Sequence, residues 1–178
     1  MKNYREPEPD GNGKHHYAMV GYHVEKTVTD AGSVTRGVCE SRGGYLTAIA
    51  ERMKVEKTDE GARFTEDNGQ SWTQLPKGTL VSMNFWGFGP SLLTLAERDF
   101  TAFLDENLPA NPLKCEYLLP TYIGMLLQSG EADVKVLESI DVWHGLTYKE
   151  DKPGLVAAIA EKHKRGLYPT PLWPSGTC

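Results

Sequence analysis

The sequence predicts an α/β fold, and three observations carry that expectation. From residue 79 onward, strand-like segments alternate with helical ones, the pattern of a layered α/β domain. The apolar stretches before residue 79 are short, β-prone and separated by turn formers. The chain has 178 residues, of which 39% are hydrophobic and 24% charged, enough to bury one proper core.

Each element follows in order. HYAMVGYHV, residues 16–24, is apolar and β-prone and reads as a buried strand, after a loose polar lead-in over 1–15. A polar connection, TVTDAGSVT, precedes RGVCE and YLTAIAERM, which the Gly43-Gly44 pair joins as a hairpin. The polar stretch over about 55–78 reads as an inserted β-hairpin. TLVSMNFWGF, residues 79–88, is the clearest strand. Pro90-Ser91 opens a helix whose apolar residues recur at helical spacing through residue 108. A second helix spans EYLLPTYIGMLLQSG and stops at Gly130. ADVKVLES is a further strand, a last helix covers about 152–164, and 174–178 is a tail.

Composition excludes several functions. The net charge of −5 disfavours nucleic acid, whose binding needs a basic face. No apolar run approaches the 18 residues or so of a membrane span, and residues 1–16 lack a signal-peptide core. Cys39, Cys115 and Cys178 form neither metal spacing nor a disulfide framework, so a cytoplasmic protein is expected. No dinucleotide, Walker-type or nucleophile-elbow motif is present. The DGNG at Asp10 lacks the later ligands of a calcium loop and reads as a turn.

Thr65-x-Asp67-x-Gly69-x-Ser71-Trp72 resembles the Asp-box hairpin repeated around sialidase propellers. A single copy without further repeats builds no propeller, and a hydrolase would need a close carboxylate pair that the sequence does not indicate. Three other patterns suggest binding chemistry. Glu51-Arg52 ends a hairpin strand, where a carboxylate suits sugar hydroxyls and a cation suits phosphate; an exposed charge pair is the alternative. Asn84 lies in an otherwise buried-looking strand and its amide needs partners, from a polyhydroxylated ligand or from backbone. Glu116 opens the second helix, where the helix dipole alone favours a carboxylate.

Taken in order, YAMVGYHV, RGVCESRGGYLTAIAER, TLVSMNFWGF, KCEYLLPTYIGMLLQSG and DVWHGLTYKEDKPGLVAAI resemble the second half of the sugar-1-phosphate nucleotidyltransferases. These glucose-1-phosphate uridylyl- and thymidylyltransferase-like enzymes join an NTP to a sugar 1-phosphate and release pyrophosphate. The resemblance covers residues 14–173 and rests on the order of the segments rather than on one motif.

It implies the C-terminal half of a Rossmann-like fold, a mixed, mostly parallel sheet flanked by helices, with residues 16–173 as the sugar-phosphate-binding half. Glu51 would hold sugar hydroxyls, Arg52 would stand for the family's phosphate-binding lysine with Lys54 sharing that role, Asn84 would face the sugar, and Glu116 its 3- or 4-hydroxyl. The complete enzyme would need Mg²⁺. Where the family has its second metal-binding Asp this chain has Gly145, so either Asp141 or Asp151 substitutes, or the metal rests on the other half of the domain alone. The family's N-terminal G-x-G-T/S-R loop is not in the sequence, so the chain is expected to be a C-terminal portion, inactive alone. The partners implied are the sugar phosphate, the NTP and the other half of the domain, with a homo-oligomer left open. A non-catalytic module using the same sugar groove is the alternative.

Overall fold

A computed structural model describes residues 11, 13–146 and 148–172. The Asp10 turn, most of the expected lead-in and the expected tail lie outside them. The elements are β1 (His15–His23), β2 (Val34–Arg42), β3 (Tyr45–Thr58), β4 (Gly61–Phe64), β5 (Thr73–Pro76), β6 (Leu80–Gly87), α1 (Ser91–Asn107), α2 (Leu119–Ser129), β7 (Ala132–Ser139) and α3 (Asp151–Lys164), with a 3-10 turn at Val24–Lys26.

The sheet overturns the expected architecture. Its strand order is β2-β6-β1-β7-β3-β4-β5, and β2 also pairs with β3, so β2, β6, β1, β7 and β3 close a five-stranded barrel. The closing contact is narrow: Tyr45 pairs with Lys135, and the Val136 amide donates to the Gly44 carbonyl at 2.8 Å. Among the described residues β1 and β7 are the one parallel pair, and every other pairing is antiparallel. The fold is therefore largely β with three helices, not a Rossmann-like, mostly parallel sheet flanked by helices.

The physical reason lies in the connections. A parallel pair needs a long crossover, whereas a tight turn can only reverse the chain. Gly43 and Gly44, at φ 61° and 82°, make a two-residue turn that forces β2 and β3 antiparallel. Residues 55–78 add two more reversals, β3 to β4 and β4 to β5, extending the sheet beyond the barrel. Both α1 and α2 fall in the single connection from β6 to β7. That connection carries the chain across β1 and returns it as β7, antiparallel to β6 and therefore parallel to β1.

Two apolar clusters sit on opposite faces of the sheet. Tyr17, Met19, Leu46 and Val134 pack with Leu92 and Leu95 of α1 and with Ile123 and Leu126 of α2. Val24, Val34, Val55, Phe64, Leu75 and Val81 form the second cluster. We call these the helix-covered face and the open face. α2 begins at Leu119, not at Glu116. Pro120 lacks an N–H and is tolerated only in a first turn, which fixes the start beside it. Gly130, at φ 76°, closes the helix.

Candidate functional site

Adjacent strands align one row of residues across the helix-covered face. Glu51 on β3 pairs with Gly37 on β2, Gly37 with Ser82 on β6, Ser82 with Gly21 on β1, and Gly21 with Glu138 on β7. Directly paired residues project from the same side of a sheet. A carboxylate and a buried hydroxyl thus flank a floor without side chains at Gly37. A Cβ built on Gly37 would stand 3.5 Å from Glu51 Oε2 and 3.3 Å from Ser82 Cβ, so the Glu51 carboxylate leans over the glycine.

The row continues to Asn84 through a bulge. Between β1 and β6 the register passes from Met19–Trp86 to Gly21–Ser82, leaving residues 83–85 opposite Val20 alone. Asn84 absorbs the distortion at φ 55°, a left-handed conformation that Asn tolerates better than most residues. Its backbone N–H donates to Ser82 Oγ at 3.1 Å, and its Oδ1 accepts from Trp86 Nε1 at 3.4 Å. Glu51, Gly37, Ser82 and Asn84 therefore form one neighbourhood.

Electrostatics single out Glu51. Partial burial raises its carboxyl above the ordinary range, and the nearby positive charge of Arg36 opposes that shift without cancelling it. Arg36 is only 7% exposed. It donates from Nε to Thr27 Oγ1 at 3.2 Å, from one terminal nitrogen to the Thr35 carbonyl at 2.7 Å and from the other to the Thr27 carbonyl. Desolvation lowers its pKa to about 10, against the pull of Glu51. Arg36 has no family motif and no periodicity to mark it, and β2 carries Glu40 and Arg42 beside it. Cys39 is buried and its thiol is pushed up to about 12, which makes it a poor nucleophile.

Arg52 and Lys54 turn to the open face, as alternation along β3 requires for Arg52. The Arg52 guanidinium stacks 4.8 Å from the Phe64 ring and pairs with Glu66. Lys54, at φ 50° on a bulge between β2 and β3, donates to Asn68 Oδ1 at 2.7 Å. Glu116 is exposed in the loop before α2. Between Tyr45, which meets β7, and Glu56, which meets β4, the second edge of β3 continues no strand register. Glu51 and Arg52 flank that free edge.

The expected Mg²⁺ finds no ligand set among these residues. A Cβ on Gly145 would lie 2.1 Å from the Trp143 ring, so the indole occupies the place an aspartate would need. Asp151 already accepts from Thr29 Oγ1 at 2.9 Å and from the Tyr148 amide at 3.0 Å, tying α3 to the loop after β1. Asp141 is exposed. Among the described residues no three His, Cys, Asp or Glu side chains gather as a metal site.

No helix among the described residues is long and apolar enough to cross a membrane. No protein-family model matches the sequence, and no curated protein matches it.

Proposed function

We propose that this chain binds the sugar phosphate for a nucleotidyltransferase reaction, in which a sugar 1-phosphate and an NTP give a nucleotide sugar and pyrophosphate. The observation that carries the reading is the Glu51 carboxylate leaning over the bare backbone at Gly37, beside Ser82 and Asn84. A carboxylate accepts two sugar hydroxyls, and a glycine floor lets a ring approach the sheet closely. The raised affinity of Glu51 for protons favours hydroxyl donors at that position.

Glu51 holds sugar hydroxyls, Asn84 offers its amide from the bulge, and Glu116 stands toward the helix start as a further acceptor. Arg52 and Lys54 take the phosphate around the free edge of β3. They exchange exposed contacts with Glu66 and Asn68 for it, contacts worth less than about 1 kcal/mol each. Attack of the phosphate oxygen on an α-phosphorus depends mostly on positioning and charge neutralisation, and this chain contributes positioning. With no Gly-rich triphosphate loop in the sequence, the chain alone is expected to bind without turnover.

The occupied place at Gly145 also favours a second reading, a non-catalytic sugar-binding module using the same groove. Titration calorimetry with glucose 1-phosphate, alongside a pyrophosphate-release assay over a panel of NTPs, tests both. Binding that Glu51→Ala weakens is the expected result. A Glu51→Ala chain that binds as tightly as the parent overturns the groove. Pyrophosphate release by the chain alone overturns the module reading.

A further inference from the structure

A concavity of about 690 Å³ opens between the loop after β1, the start of β2, the segment after β7 and the first turn of α3. Glu51, Gly37, Ser82 and Asn84 do not line it, so it is distinct from the sugar groove.

Three of its four acidic side chains are already engaged, and the fourth, Glu150, is exposed. Asp30 pairs with Lys57 at 2.9 Å, Asp151 accepts from Thr29 and Tyr148, and Glu25 accepts the Gly78 amide at 3.0 Å. Its buried cation is different. Arg36 uses three of its five N–H groups on neutral oxygens of Thr27 and Thr35. The Trp143 ring lies 5.0 Å from the guanidinium. Among the described residues Arg36 makes no salt bridge. A buried guanidinium that feels the charge of Glu51 but forms no salt bridge with it, at the wall of a cavity of small-molecule size, suits an anion with planar or forked oxygens.

We propose that this cavity binds a small organic oxyanion, a molecule carrying phosphate or carboxylate whose charged group is taken by Arg36. The inference does not rest on the sugar-phosphate reading. Gly154 of α3 lines the cavity, and a Cβ there meets nothing within 4 Å, so a larger side chain can fill the space without displacing a neighbour.

The test is calorimetric titration of the parent chain and of Gly154→Leu with inorganic phosphate, glycerol 3-phosphate and citrate. The phosphate probes and citrate separate the two oxyanion chemistries. The parent should bind one class at millimolar concentration or better. Gly154→Leu should weaken that binding at least about tenfold, with a melting temperature unchanged or raised, because Gly is a poor helix former. Arg36→Gln, with its fold checked by circular dichroism, should lose the binding as well. Glu51→Ala should leave it unchanged or tighter, which separates this site from the groove. Equal affinity in Gly154→Leu and the parent, or no binding of any probe to the parent, overturns the proposal.

Discussion

Two carboxylates in this molecule are shifted in opposite directions, and the contrast separates architecture from function. Asp67, in the loop between β4 and β5, accepts from Ser71 Oγ at 2.6 Å, from the Ser71 amide at 2.9 Å and from Thr65 Oγ1 at 2.7 Å. These hydrogen bonds, Ser71's first, hold its carboxyl well below the usual carboxylate range. The Gly69 amide donates to the same Thr65 hydroxyl at 2.8 Å, and Arg63 stacks 4.1 Å over the Trp72 ring. Glu51 has no such set of donors; desolvation raises it instead. The signature residues Thr65, Asp67, Gly69 and Ser71 thus bond one another. The less conspicuous Glu51 keeps acceptor capacity for a ligand.

The contrast can be broken from either side. The largest effect is expected of Gly37→Val. Its methyls enter a space already 3.2 Å from Ile49 Cδ1 and 3.3 Å from Ser82 Cβ. Overpacking of this kind costs about 1–3 kcal/mol, visible in chemical denaturation, and the filled floor abolishes glucose 1-phosphate binding in calorimetry. Retained binding would show that the ligand does not lie over Gly37.

Thr65→Val acts on the other region. Thr65 is 3% exposed and its hydroxyl joins Asp67 to Gly69. Losing it removes the hydrogen bonds to Asp67 and from the Gly69 amide and costs about 1 kcal/mol of stability, with no change in sugar-phosphate affinity. A loss of affinity would move the site to the loop.

The smallest effect is a pH signature. The folded pKa of Glu51 is raised, so its ionised form costs stability once the pH exceeds the ordinary carboxylate range. Glu51→Gln should then be slightly more stable than the parent above about pH 5 and no more stable in acid. Asp67, depressed when folded, has the opposite sign: its contribution is present above the ordinary Asp range and fades as the pH falls below it. Asp67→Asn should therefore lose stability at neutral pH and converge on the parent in acid, as followed by thermal melts across pH. Parallel profiles for the two variants would erase the distinction.

Most elements were legible in the sequence, because apolar periodicity and turn residues act locally. β1, the Gly43-Gly44 hairpin, β6, α1 and α3 lie within a residue or two of their expected places, apart from a few residues more at the outer ends of the hairpin strands. Strand direction was not legible. Alternation of strands and helices suggests crossovers, but α1 and α2 share one connection, and only the register of β1 with β7 reveals how little parallel pairing results. The start of α2 was open to view in Pro120, which outweighs the favourable charge of Glu116.

The candidate site was half legible. Glu51 and Asn84 stand out as polar residues in apolar strands, and the structure joins them through Ser82. The opposed facing of Glu51 and Arg52 follows from strand alternation and could have been read from adjacency alone. The contact of Arg36 with the Trp143 ring could not, since the two lie more than a hundred residues apart in the chain.

The most direct measurement is the dissociation constant for glucose 1-phosphate in the parent chain, Glu51→Ala and Thr65→Val, by titration calorimetry at one pH and salt concentration. Glu51→Ala should weaken binding about 10- to 100-fold, the loss of one or two charge-assisted hydrogen bonds, while Thr65→Val binds as the parent does. Equal affinities in the parent and Glu51→Ala, or a larger loss in Thr65→Val, would contradict the account.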